Sequence, residues 1–372
     1  MVDSSNLIVE SQANFAIKSL TKLSQGNESL VFSPFSLTLA LTLCFLGSKG
    51  KTNTEIKNFL FPKIDENEFI EYLEDTIENV EEFSESYTTV RVANKIYLKK
   101  DLKANEDYLK KIDKYFKASA ENVDFTNPNL SSTIINDYIS NSTKTRIKNF
   151  ISSKDILPKI DSIIGSAILF QSSWEERFKK KFTKNSAFFK DLEQNVFVSL
   201  MHKQSYLPYS EDGDFHFLQL PYSDEDFSFA ILLPKVKSKL KSLLKKVTGK
   251  KFLSLLRKTD TAQVLLDIPK FKLENSENYV KLLQSIGLKN SFNSKGDFSL
   301  ISPNMKVIEI RQKSKIGIGE RGTEVTKDTS IKMLPSSDFF HSATKKVTIR
   351  ADHPFLFFIL FKEQILFNGI YQ

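Results

Sequence analysis

Ser33-Pro34-Phe35-Ser36-Leu37-Thr38-Leu39-Ala40-Leu41-Thr42-Leu43-Cys44-Phe45-Leu46-Gly47 is the stretch from which the fold class follows. Ser33 suits a helix N-cap, and Pro34 suits the first helical position, where its missing N–H costs nothing. Gly47 stops the run. Between these ends the residues are apolar on nearly every side, so the helix has no face for water. Such a helix belongs in the middle of a large protein. Cys44, the one cysteine, reads as a small buried residue and excludes an internal disulfide.

Outward from this helix, the first half reads as helix-rich. Asn6–Leu23, Glu66–Val80, Asn105–Phe116 and Leu130–Ile151 repeat apolar residues at helical spacing. Thr88–Leu98 alternates and is β-branched, and Ser162–Phe170 is nearly continuous apolar, as a central strand is. The second half is strand-rich: Phe215–Leu220, Phe227–Leu233, Gln263–Ile268 and Met305–Glu320. Phe355–Phe361 and Ile365–Tyr371 read as a hairpin closed by Lys362-Glu363-Gln364. With 372 residues, 40% hydrophobic content and 32 Phe, the chain can bury a sizeable core. No repeat or linker divides it, so residues 1–372 read as one α+β domain with large sheets. The longest apolar block, Phe355–Phe361, is too short for a membrane span, which needs roughly 18 residues.

Charge is unevenly spread around a net +8. Residues 65–85 carry ten acidic side chains and no Lys or Arg, whereas Lys235–Lys251 carries eight Lys. The spacing of Leu240, Leu243, Leu244 and Val247 predicts a solvated amphipathic helix there. A polyanion patch is the sharper reading of the same lysines. The helix has no aromatics for base stacking, so no specific nucleic acid is expected.

Catalytic signals are missing from the sequence. His202, His216, His341 and His353 fall in no metal-ligand spacing, and there is no nucleophile elbow or phosphate loop. Gly317-Ile318-Gly319 with Gly322 gives Gly-x-Gly-x-x-Gly, but the β-branched, polar Thr323–Ser330 replaces the helix a dinucleotide would need. No enzyme activity, metal or cofactor is expected. Met1-Val2-Asp3-Ser4-Ser5 lacks signal-peptide features. The expectation is a cytoplasmic or non-classically exported chain, with secretion after signal removal as the alternative. Sequons at Asn27, Asn129 and Asn141 do not decide between them.

Residues 320–353 stand apart. They are long, mostly polar and without sustained periodicity, and loops of that kind are usually functional. Glu320-Arg321-Gly322-Thr323-Glu324 opens the stretch with a glycine hinge, and Phe339-Phe340 lies in its middle. It reads as a segment presented to a partner.

Eight blocks in order then resemble one family, the serpins, over essentially the whole chain. Leu30–Leu37 with Leu46–Thr52 resembles the family's buried helix and its exit. Ile135-Asn136-Asp137-Tyr138 with Thr143–Ile147 resembles the next signature, with Thr145 at the usual glycine. Ala167–Trp174, followed by Phe178 and Phe182-Thr183, resembles the strand that ends in the breach tryptophan. Leu220-Pro221-Tyr222, Leu232-Leu233-Pro234, Pro269-Lys270-Phe271, Asp297-Phe298-Ser299 and Asp352–Phe357 complete the series.

The resemblance implies three β-sheets, eight or nine helices and an exposed reactive-centre loop, here about residues 320–353. It also implies a monomeric suicide inhibitor that forms a covalent complex with a serine protease. The cut loop would insert into the central sheet and carry the acyl-enzyme with it. Glu320, Gly322, Thr323, Glu324, Val325 and Lys327 would form the hinge. Strand parity would turn Thr323, Val325, Lys327 and Thr329 inward, and Glu324, Thr326, Asp328 and Ser330 outward. Inhibitory members usually carry small residues where Val325-Thr326-Lys327-Asp328 stands. That departure motivates the alternative of a non-inhibitory serpin, cleaved as a substrate or acting as a carrier. A cysteine-protease inhibitor on the same scaffold is a third reading.

Sixteen residues from Glu320, the reactive bond would be Ser336-Ser337, which suits an elastase-like pocket. Phe339 or Phe340 would instead suit a chymotrypsin-like pocket, and Lys332 a trypsin-like one. Ser33, Ser36, Ser166 and Gln312 would form the shutter beneath the sheet, with Trp174 at the breach. Ser166 and Gln312 stand where the family often has Asn and His, so the shutter's response to pH should be blunted.

Overall fold

The computed structural model describes residues 4–82, 87–191, 193–303, 305, 308–323 and 345–372. Helix α1 (Ser4–Leu23) and strand β1 (Leu30–Phe32) lead into the central helix α2 (Pro34–Leu46). There the Ser33 hydroxyl accepts the Ser36 N–H at 3.0 Å, and every side chain from Pro34 to Phe45 is buried. Next come α3 (Gly50–Leu60), α4 (Glu66–Glu82), β2 (Thr88–Lys99), α5 (Glu106–Phe116), β3 (Ser119–Val123), α6 (Pro128–Ser142) and β4 (Ser162–Ser173). Strands β5 (Lys184–Phe189), β6 (Asn195–Glu211), β7 (Phe215–Pro221) and β8 (Phe227–Pro234) precede α7 (Leu240–Leu244) and α8 (Gly249–Arg257). The chain closes with β9 (Asp260–Pro269), β10 (Phe271–Asn278), α9 (Val280–Ile286), β11 (Ile308–Gly319), β12 (Gly322–Thr323), β13 (Lys346–Arg350), β14 (Phe355–Phe361) and β15 (Gln364–Tyr371).

Two hydrogen-bonded sheets result among the described residues. One runs β10-β11-β12-β4-β2-β3, and the other runs β1-β15-β14-β8-β7-β6-β9-β13 with β5 on β6. The second contains two of the three expected sheets, joined through the 17-residue β6. At one end β6 pairs with β7 through Tyr209, Ser210 and Glu211, and along Leu200–Tyr209 it pairs with β9.

The six-stranded sheet separates two apolar clusters, and strand parity decides which residue enters which. On β2, Val90, Ile96 and Leu98 enter the main core, while Ala93 and Tyr97 face the α6 side. On β4, Ile164, Ile168 and Phe170 face the core and Ile163 and Ala167 face α6. Helix α2 lies under the core face, as its uniform apolarity requires.

Two sequence expectations need correction. The pattern over Leu130–Ile151 is not one helix: α6 ends at Ser142, and Lys144 (φ 49°) and Thr145 (φ 62°) take left-handed turns. Ile147, Phe150 and Ile151 are still buried, so apolar spacing continues there in irregular chain. Lys235–Lys251 is not one helix either. It breaks between α7 and α8, where Thr248 caps α8 by accepting the Lys251 N–H at 3.1 Å. The Gly249 N–H donates to Asn14 Oδ1 at 3.0 Å, and a Cβ on Gly249 would meet the Asn14 nitrogen at 2.4 Å. The break thus docks the segment closely on α1.

Candidate functional site

Strand β11 pairs in parallel with β4 only over its first half, from Ile308↔Ser162 to Lys313↔Ala167. Further along, the two strands part around β12. Gly322 opposes Gly319 and Ser173, and Thr323 opposes Ile318 and Ser172, so β12 runs antiparallel to both neighbours. Among the described residues, no pairing joins 314–317 of β11 to 168–171 of β4. This interval is a strand-wide slot with β12 lodged at its mouth.

The mouth is built around Trp174. Its indole N–H donates to the Gly319 carbonyl at 2.8 Å, and its backbone N–H donates to the Arg321 carbonyl at 3.0 Å. The ring stacks on Tyr222 with centroids 4.6 Å apart. Burial pushes the Tyr222 phenol well up, so it keeps its proton and shares a 2.5 Å hydrogen bond with the buried Thr323 hydroxyl. Gly322 is required here: its φ is +153°, and a Cβ would meet the Ser172 carbonyl oxygen at 2.0 Å.

Glu320 anchors the turn. Lys270 donates to its carboxylate at 2.9 Å and Thr183 at 3.2 Å. Partial burial works to raise its pKa, but the bonds from Lys270 and Thr183, with the Lys270 charge, hold it below the usual glutamate range. The Glu320 carboxylate therefore stays ionised through that range, and its bonds are lost only in acid.

Behind Trp174 lies Lys203, which is 8% exposed. Its ammonium donates to the Glu176 carbonyl at 2.9 Å and sits 5.0 Å from the centre of the Phe178 ring. Burial pushes its pKa down to about 8 against the pull of Glu176 and Glu175. In the unfolded chain the group binds its proton up to the ordinary lysine value. Between pH 8 and that value the unfolded state therefore binds more protons, and stability rises with pH. Lys203→Met should raise stability at pH 7 by on the order of 2 kcal/mol. That gain over the wild type should shrink as pH rises from 8 to 10, which paired urea titrations would measure. A pH-independent gain would show that charge burial is not its source.

The residues expected to form the shutter lie at the closed end of the slot. Gln312, Ser166 and Asn94 occupy one rung across β11, β4 and β2. Gln312 Nε2 donates to the Ser33 carbonyl at 2.7 Å, and its Oε1 accepts the Ser33 N–H at 3.0 Å and the Ser314 hydroxyl at 3.1 Å. Ser166 donates to Asn94 Oδ1 at 2.5 Å, which leaves Ser36 as donor in the 2.5 Å Ser36–Ser166 bond. Ser33 donates to the Leu366 carbonyl at 2.6 Å. The rung thus ties the sheet to the cap of α2.

None of these groups titrates near neutrality. Gln312→Leu would strand the Ser33 N–H and leave the Ser33 carbonyl only the Leu37 N–H, costing roughly 2 kcal/mol. A lower urea midpoint, by the same margin at pH 6 and pH 7.5, is the expected measurement. A steep change between those pH values traced to this rung would refute the pH-blunted network.

Ser33, Ser36, Ser166 and Gln312 are therefore brought together, and so are Trp174, Glu320, Gly322 and Thr323. Glu324, Val325, Lys327, Lys332, Ser336, Ser337, Phe339 and Phe340 lie outside the described residues. Sequence reasoning missed Asn94, although a polar residue on the core parity of β2, two residues from Ile96, was a readable signal. It also missed the roles of Lys270, Thr183 and Tyr222.

A family model described as Serpin (serine protease inhibitor) matches residues 10–371. The chain is a serpin. It is 30% identical to an uncharacterised serpin-like protein of Thermococcus kodakarensis, over 97% of this chain and 84% of the relative. The solved structure of Serpin48 from the insect Tenebrio molitor superposes with a TM-score of 0.86 at 28% identity, covering 100% of this serpin and 98% of that chain. Thyroxine-binding globulin in complex with thyroxine matches in fold, with a TM-score of 0.84 at 23% identity over 97% of this chain and 98% of its own. Serpins are in general protease inhibitors rather than catalysts, and as a family they complex with serine proteases. Among the described residues, no helix is long and apolar enough to cross a membrane, and no cluster of His, Cys, Asp or Glu could hold a metal ion.

Proposed function

We propose that this serpin traps serine proteases by cleavage and insertion of residues 320–353. The supporting observation is the lodging of Gly322-Thr323 antiparallel to both β11 and β4 at the mouth of the slot. A strand entering there continues an existing register instead of nucleating a new one. The protease serine attacks the Ser336 carbonyl, the bond to Ser337 breaks, and the new amine leaves with a proton. Ser336 stays on the enzyme as an ester while the freed strand enters the slot. Trapping requires that insertion outrun hydrolysis of that ester.

Ser336-Ser337 is the reactive bond of this proposal, with an elastase-like target; Phe339, Phe340 and Lys332 are the alternatives. Incubation with elastase, chymotrypsin and trypsin should give an SDS-stable band at the combined mass. The released fragment, weighed by mass spectrometry, should begin at residue 337. Cleavage without that band, at any of these bonds, would overturn the trap.

A non-inhibitory carrier is the second reading. It draws on the charged pair Lys327-Asp328 in the hinge and on a fold shared with a thyroxine-bound neighbour. A cut chain whose melting temperature does not rise would favour it, since insertion is what stabilises a cut loop.

A further inference from the structure

Beside the hinge, an open cavity of about 640 Å3 gathers seven cationic side chains from four separated segments. Arg146 follows α6, and Arg177 and Lys180 lie between β4 and β5. Lys270 and Lys272 bracket the start of β10, while Lys315 and Arg321 come from β11 and the turn after it. A single carboxylate, Glu320, lines the same space, and Lys270 already engages it at 2.9 Å. Glu274 stands cross-strand from Lys315, but its carboxylate is held by Lys313 at 2.7 Å. Among the described residues, no ion pair engages Arg146, Arg177, Lys180, Lys272 or Lys315. With Lys270 answering Glu320, these five cations alone give the space an excess of five positive charges.

This is a different arrangement from the lysine-rich 235–251 segment. There Glu211, Asp352, Asp214 and Asp212 pair with Lys235, Lys237, Lys246 and Lys251. The cavity's cations instead surround a concave space that Gly317, Gly319 and Gly322 also line. Lys272 faces Gly317 across the strand pair, and a Cβ on Gly319 would meet nothing nearer than Lys270 Cε at 3.8 Å. Repulsion among like charges held around one space is relieved by an anion that fills it.

We propose that this cavity binds a compact polyanion, a small scaffold carrying several phosphate or sulfate groups. Its volume falls in the range of small-molecule sites, roughly 300–1,000 Å3. About three phosphates at nearly two charges each would match the excess. The mixture of arginine and lysine suits tetrahedral oxyanions: guanidinium binds two oxygens at once and ammonium acts as a point charge. A bound anion lies against Glu320 and Gly322 and competes with Glu320 for Lys270.

The test is calorimetric titration of the intact protein with inositol hexakisphosphate and, separately, sucrose octasulfate at 150 mM salt. One-site binding is expected, at least tenfold weaker in Lys272→Glu/Lys315→Glu and unchanged in Lys245→Glu/Lys250→Glu. Preference for one probe identifies phosphate or sulfate as the recognised group. Lys272→Gln/Lys315→Gln, checked by its melting curve, should show an intermediate loss and guards against misfolding. Equal weakening in the breach and control variants would overturn the proposal. Binding of long heparin or single-stranded DNA without either small probe would do so too, since it would mark general attraction of polymers to a basic surface.

Discussion

Under the proposed trapping mechanism, Thr323→Arg is expected to give a substrate in place of a trap. Thr323 is fully buried, bonded to Tyr222, and held between Ile318 and Ser172 as the first inward residue of the incoming strand. Every later residue of the loop must enter behind it. An arginine there would place a guanidinium against Trp174 and Tyr222 with no buried carboxylate within the rung. Burying an unpaired charge costs several kcal/mol, and each 1.4 kcal/mol slows a step about tenfold, so insertion should slow by at least about 100-fold. Ester hydrolysis by the protease is unaffected, so the balance passes to release. The variant should be cut at the wild-type bond, give no SDS-stable band, and show little rise in melting temperature after cutting. Covalent complex at a stoichiometry within twofold of wild type would refute the role given to β12. Thr323→Ala, which loses one hydrogen bond worth about 1 kcal/mol, should still trap.

The sequence made the scaffold legible because its constraints are local. Ser33-Pro34 announces α2, and uniform apolarity announces its burial. Alternation announces β2, and a continuous apolar run announces β4 as a strand buried on both faces. What stayed hidden depends on register between distant segments. Asn94, Ser166 and Gln312 share a rung only because three strands align, and no local pattern encodes that alignment. The cavity's cations are hidden for the same reason, being drawn from residues 146 to 321. The lysine run at 235–251 shows the reverse case. It is conspicuous in sequence, but four of its eight charges are answered by carboxylates from other segments.

Lys327→Ala is expected to speed insertion and improve trapping, and the register of β12 says why Lys327 and not Asp328 is the obstacle. Continued past the closed end of the slot, where the Lys313↔Ala167 pair must open, that register sets residue 328 beside Lys313 on the α6 side of the sheet. Lys313 is a cation already held at the sheet surface by the Lys148 and Asn149 carbonyls and Glu274, so Asp328 would meet a partner. Residue 327 falls between Ser314 and Ile168 on the core side. Both are fully buried, and the one buried acidic side chain among the described residues, Asp352, is already paired with Lys237 and His353. A carboxylate beneath the sheet is therefore not on offer, and the ammonium must reach water along its own stem or lose hydration. Snorkelling would leave a residual penalty of about 2 kcal/mol, equivalent to roughly 30-fold in the insertion rate. Wild type should thus consume several inhibitor molecules per protease trapped, and Lys327→Ala should approach one. Asp328→Ala should leave the ratio unchanged or worsen it, because Lys313 loses its incoming partner. Titration of residual protease activity measures all three ratios. If Asp328→Ala improves trapping as much as Lys327→Ala does, the register drawn from Gly322-Thr323 does not continue into the slot.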